Sequence, residues 1–100
     1  MFKIMIVDDE PAVRKGLSKY IDWETIGCEI VYSAKDGIDA EENLVKYNPD
    51  IVITDIKMPG KDGIDLAKEI SINFNHIKTI ILTGYSEFEY AQSAIKYNVV

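Results

Sequence analysis

One hundred residues, 47% of them apolar and 28% charged, have the make-up of an ordinary soluble globule and suffice for one compact domain. Seventeen acidic residues against eleven basic ones give a net charge of −6, which argues against direct grip on a phosphate backbone, since that needs clustered Lys and Arg. The sole cysteine, Cys28, excludes an intrachain disulfide, and no apolar run approaches the length of a membrane span.

The chain opens on an apolar run, Phe2 to Val7, that ends in Asp8-Asp9-Glu10. The run is too short for a signal peptide and lacks a small-residue cleavage site, so a reducing cytoplasm is the expected location and no membrane partner is expected. Its near-continuous β-branched and aliphatic character suits a central strand of a parallel sheet, covered on both faces. Pro11, at home in a first helical turn, is followed by a stripe of Val13, Leu17 and Tyr20-Ile21. Cys28 to Tyr32 alternates and reads as a less buried edge strand, with Cys28, Ile30 and Tyr32 on one face. Asp36 is placed to cap a second helix carrying Ile38, Leu44 and Val45. A third strand, Ile51 to Ile53, runs on through Thr54 into Asp55. Asp62 then caps a helix with Ile64, Ala67, Ile70 and Phe74 at helical spacing. A fourth strand, Thr79 to Leu82, leads to Thr83-Gly84. Ser86-Glu87-Phe88-Glu89 has the form of a capping box before the stripe Phe88, Ala91, Ala94-Ile95. Strand then helix, four times over, predicts an α/β fold with a doubly wound parallel sheet.

Two acidic signals fall at equivalent places, Asp8-Asp9-Glu10 after the first strand and Asp55 after the third. In open α/β sheets ligands bind outside the carboxyl ends of the strands, where strand order reverses. If the first and third strands are neighbours, their ends lie about 5 Å apart and the three aspartates converge. Like charges that close repel unless a cation offsets them, and Mg²⁺ prefers hard oxygen ligands of this kind. An Asp beside such a metal can attack phosphorus and form an acyl phosphate. The hydroxyl of Thr83 could donate to a phosphoryl oxygen, with Gly84 leaving backbone space beside it.

With Ile6-Val7-Asp8-Asp9-Glu10, the run from Asp50 through Asp55 to Gly63, and Ile81-Leu82-Thr83-Gly84 in this order and spacing, the whole chain resembles the receiver domain of bacterial two-component response regulators. The resemblance implies a flavodoxin-like strand order 2-1-3-4-(5). It implies Asp55 as phosphoacceptor, Asp8, Asp9, Asp55 and the backbone carbonyl of Lys57 around Mg²⁺, and Thr83 as switch hydroxyl. Met58, Pro59 and Gly84 have supporting roles, as do Asp62-Gly63 in the turn, while Lys57 and Tyr85 fall at positions that tune phosphoryl lifetime. A sensor histidine kinase is the implied phosphodonor, and a homodimer is a possible assembly. The segment from Ile21 to Glu29 is similar to receivers that precede an AraC-type helix-turn-helix domain, so DNA would be reached only through an output domain beyond Val100.

The family's lysine at the end of a fifth strand has no counterpart here, and Lys96 falls in the fourth helix pattern instead. Residues 1–100 are therefore expected to be a receiver domain ending at the start of strand five, with retained Mg²⁺ binding, weakened phosphorylation and an edge prone to association. Turnover is not expected. A Mg²⁺-dependent phosphohydrolase with an aspartyl nucleophile would want a second Asp two positions on, where Lys57 stands. A receiver-like binding module without phosphorylation is disfavoured by the intact acidic trio. His76, the single histidine, is expected to be a loop residue, and Trp23 to pack a loop against the first helix.

Overall fold

The computed structural model describes residues 1–82. Strand β1 (Phe2–Val7) leads to helix α1 (Pro11–Tyr20), then through a single 3₁₀ turn at Glu24–Ile26 to β2 (Cys28–Ala34). Helix α2 (Gly37–Tyr47), β3 (Ile51–Asp55), α3 (Gly63–Asn73) and β4 (Lys78–Leu82) follow. The strands form one parallel sheet in the order β2-β1-β3-β4, so the fold class and the strand order expected from the sequence hold over these residues. None of the helices among the described residues is long and apolar enough to cross a membrane. Thr83, Gly84, Tyr85, the Ser86–Glu89 capping box, the fourth helix pattern and Val99-Val100 lie outside the described residues.

Side-chain alternation along β1 divides the core. Met5 and Val7 face Ala40 and Leu44 of α2 and Leu66 and Ile70 of α3, together with Val52, Met58 and Ile77. Ile4 and Ile6 face the other way, with Cys28 and Ile53, against Leu17 of α1 and Trp23. Leu44, Leu66 and Ile70 are fully buried, and each contributes about 2 kcal/mol of hydrophobic stabilisation. Trp23 Nε1 donates to the Leu17 carbonyl at 2.9 Å, so the indole fastens the chain after α1 to that helix, as expected.

β2 departs from its expected pattern. Ile4 pairs with Ile30 but Met5 pairs with Tyr32, leaving Val31 as an extra residue. A bulge reverses which face the following side chains occupy. Cys28 and Ile30 therefore lie on the α1 face, whereas Tyr32 and Ala34 join the α2–α3 face. There the Tyr32 ring stacks on Tyr47 with centroids 4.7 Å apart, and its hydroxyl donates to Asp39 at 2.7 Å. That bond, with burial second, raises the Tyr32 phenol above its ordinary range.

The helix ends follow the sequence. Asp36 accepts from the Asp39 N–H at 2.8 Å, and Asp62 and Asp65 form a reciprocal capping box. The helix faces follow it less well. In α2 the buried stripe is Gly37, Ala40 and Leu44, while Ile38 and Val45 are exposed. Small residues bring α2 close to its neighbours, and a reading weighted by side-chain size passes over them. Tyr20 and Ile21 likewise point outward, because of the larger apolar side chains of α1 only Val13 and Leu17 turn partly inward. Leu66, absent from the expected α3 stripe, is fully buried.

Candidate functional site

Because β1 and β3 are hydrogen-bonded neighbours with Val7 opposite Thr54, the next residues, Asp8 and Asp55, stand side by side at the sheet's carboxyl edge. One carboxylate oxygen from each of Asp8, Asp9 and Asp55 lies within 4.8 Å of the others. Asp8 is buried, Asp55 half-buried and Asp9 exposed, so the cluster is open to solvent on one side.

Each connection to the cluster is held by identifiable bonds. Asp8 Oδ1 accepts the Glu10 N–H at 2.9 Å, which turns the chain into α1. The Asp8 N–H donates to the Ala34 carbonyl at 3.1 Å, and Arg14 Nη1 donates to the Asp8 carbonyl at 2.6 Å. Asp55 Oδ1 accepts the Ile56 N–H at 2.8 Å, which orients its carboxylate. The loop after β3 closes on itself where the Gly63 N–H donates to the Ile56 carbonyl at 2.6 Å. Gly63 is required there, because a Cβ would come within 2.2 Å of the Asp55 carbonyl oxygen.

The donor set fits a small hard cation. Octahedral Mg²⁺ with bonds of about 2.1 Å places trans ligand oxygens about 4.2 Å apart. A trio within 4.8 Å needs only small side-chain rotations, or one intervening water, to meet that span.

Residues 4–100 match the response regulator receiver domain family. The chain belongs to that family. This receiver domain is 43% identical over 99 residues to the uncharacterized transcriptional regulatory protein YesN of Bacillus subtilis, covering 99% of the chain but 27% of that relative's length. Among solved structures it is similar to the REC domain of AraT, a response regulator from Geobacillus stearothermophilus, with a TM-score of 0.91 and 38% identity over 98% of this chain and 76% of that one. A two-component transcriptional regulator AraC from Clostridium phytofermentans gives a TM-score of 0.89 and 36% identity, covering all of this chain and 80% of that one. The protein is thus a receiver domain of a two-component response regulator, with transcriptional regulators among its relatives.

In this receiver the expected residues divide into three groups. Asp8, Asp9 and Asp55 come together. Met58 is buried among Leu44, Leu66 and Ile70, whereas Lys57, Pro59 and Gly60 are exposed around it. Thr83 and Gly84 fall outside the described residues. His76 is an exposed loop residue within 3.0 Å of Asn48 Oδ1, remote in sequence from the cluster.

Two side chains that hold the connections after β1 and β3 were not singled out from the sequence. Arg14, one turn into α1, grips the backbone of Asp8. Its spacing from Asp8 was visible, but nothing in the sequence specifies a carbonyl as its target. Lys61 lies between Glu41 of α2 and Glu69 of α3. Glu69 lies on the helix that follows the loop, whereas Glu41 is remote in sequence, and only the packing of α2 beside α3 brings both to it.

Proposed function

We infer that the domain accepts a phosphoryl group on Asp55 from a phosphohistidine of a sensor kinase. One oxygen of Asp55 forms the new bond to phosphorus as the P–N bond breaks, and the electron pair leaves with the imidazole nitrogen. The product is an acyl phosphate. Asp8, Asp9, Asp55 and the Lys57 carbonyl are the groups that would hold Mg²⁺, which when bound offsets charge on the phosphoryl oxygens. The Ile56 N–H keeps the attacking carboxylate oriented. Thr83 is the hydroxyl that would follow the new phosphoryl group, with Gly84 giving it room, and so bias the domain between two states. The readout in this proposal is transcriptional, through an AraC-type DNA-binding output domain in the cytoplasm, with a homodimer as the candidate active assembly.

The observation that carries the reading is the meeting of three carboxylates within 4.8 Å of one another at the ends of two paired strands. The test is incubation with acetyl phosphate and Mg²⁺, followed by intact mass. Slow labelling that saturates at one phosphoryl group per chain is expected, with none in Asp55→Asn. Continuous hydrolysis of phosphate esters, or labelling that survives Asp55→Asn, would contradict it.

A further inference from the structure

We propose that Lys61 is a positioning residue for the metal-binding loop, holding the Lys57 carbonyl in place through Glu41 and Glu69. This rests on the proposed role of that carbonyl. The loop from Ile56 to Asp62 joins β3 to α3. At its neck it is closed by the Gly63 N–H on the Ile56 carbonyl. On its inner side Met58 enters the core. On its outer side Pro59 and Gly60 are exposed, and Gly60 adopts a φ of 76°. Beyond that exposed turn the loop is gripped again at Lys61, at both ends of the residue.

The side-chain end is an ion-pair bridge. Lys61 Nζ lies 2.6 Å from Glu41 Oε2 and 3.3 Å from Glu69 Oε2. The bridge therefore spans α2, the loop and α3. The Lys61 side chain is only 21% exposed, so its position is more confined than that of an ordinary surface lysine. The backbone end is a steric stop. Gly37, the first residue of α2, lies so close that a Cβ there would come within 2.3 Å of the Lys61 carbonyl oxygen.

Three residues separate this grip from Lys57: Met58 is anchored, Pro59 has a fixed φ, and Gly60 forms the turn that Lys61 closes. A metal ligand must be held to within about 0.5 Å of its productive place, and a backbone carbonyl cannot reach its ion by changing rotamer as a side chain can. Isolated ion pairs with this much exposure are weak stabilisers. Their geometric effect on a short, anchored loop is the larger one.

The experiment measures the initial rate of labelling by acetyl phosphate as a function of Mg²⁺ concentration in the chain as it stands. Lys61→Met, which keeps the unbranched apolar stem and removes the ammonium, is expected to raise the half-saturating Mg²⁺ concentration about threefold to tenfold, with a much smaller change in the rate at saturation. Glu41→Gln combined with Glu69→Gln should reproduce that shift, and Lys61→Arg, which can pair with both glutamates, should restore the wild-type midpoint. A Lys61→Met protein with a lowered melting temperature but an unshifted Mg²⁺ midpoint would make the lysine purely structural and overturn the proposal. So would a lowered saturating rate at an unchanged midpoint. If the wild type takes up no label at any Mg²⁺ concentration, the proposed function falls and takes this inference with it. Wild-type labelling with an unshifted midpoint in the variant refutes the role of Lys61 alone.

Discussion

The connection from β1 to α1 is Asp8-Asp9-Glu10, whereas that from β3 to α3 takes the whole run from Ile56 to Asp62; the first supplies two carboxylates of the cluster, and the second begins directly after the third, Asp55 at the end of β3. The short connection is held mainly by its own neighbours. Glu10 bonds back to the Asp8 side chain, and Arg14 reaches back from the next turn of helix. The long one has a local bond at its neck, the Gly63 N–H on the Ile56 carbonyl, and Glu69 reaches it from the following helix, but it is also held by residues distant in sequence, Gly37 and Glu41 of α2. A short turn can be specified by the residues inside it. A longer loop carries more conformational freedom, and contacts from outside must remove it.

Three substitutions test that contrast, and they are ordered by expected effect. Gly37→Ala forces a Cβ against the Lys61 carbonyl with backbone on both sides, so the long loop must shift. A loss of about 3 kcal/mol in unfolding free energy is expected from urea denaturation, of the size seen for overpacked interiors. Tolerance of this alanine would mean that α2 does not brace the loop. Arg14→Met removes one charged hydrogen bond from the short connection and should cost about 1 kcal/mol in the same measurement. A cost as large as that of Gly37→Ala would erase the distinction between a locally held and a remotely held loop.

The smallest effect is that of Lys61→Met on stability, under about 1 kcal/mol for a pair this exposed, and it should depend on pH. The hydrogen bond from Lys61 holds the Glu41 carboxyl below its ordinary range, against burial acting the other way. A depressed carboxylate stabilises the fold above its unfolded pKa, and that contribution is lost as pH falls through the folded pKa. The hydrogen bond to Glu41, followed in effect by that to Glu69, raises the Lys61 ammonium above its ordinary range, against partial burial. Its contribution is complete below the unfolded lysine pKa and is lost as pH rises through the folded one. The difference between wild type and variant should therefore be flat between the carboxylate and lysine ranges and shrink at both ends. Urea midpoints across pH would show this, and a difference that persists at acid pH would mean that Lys61 acts by packing.

What could be read from the sequence follows the same line. The caps at Asp36 and Asp62 and the pairing of acidic strand ends were legible, because each depends on residues within a few positions or on parallel-sheet topology. The faces of α2 were not. Ile38 and Val45 look like core residues, yet Ile38 Cδ1 lies at the surface over Gly60, where a Cβ would come within 3.2 Å of it. Gly37 and Ala40 are buried because α2 must approach the β3–α3 loop and the sheet closely, a demand set by the far end of another element. Lys61 was hidden for the same reason. A lysine in a polar loop looks solvated until two helices bring glutamates to it.

The additional residue in β2 makes that strand sensitive to length as well as to composition. In uninterrupted register from Ile4 and Ile30, Val7 would stand beside Ser33; instead it stands beside Ala34, whose carbonyl receives the Asp8 N–H. Any side chain at position 31 leaves this count intact. Deleting the position would only close the bulge, since Ile30 and Tyr32 already pair with the successive residues Ile4 and Met5; removing Ser33 instead would bring Lys35 beside Val7 and give Asp8 a different backbone partner, so an edit within an edge strand would be felt at the acidic tip of its neighbour.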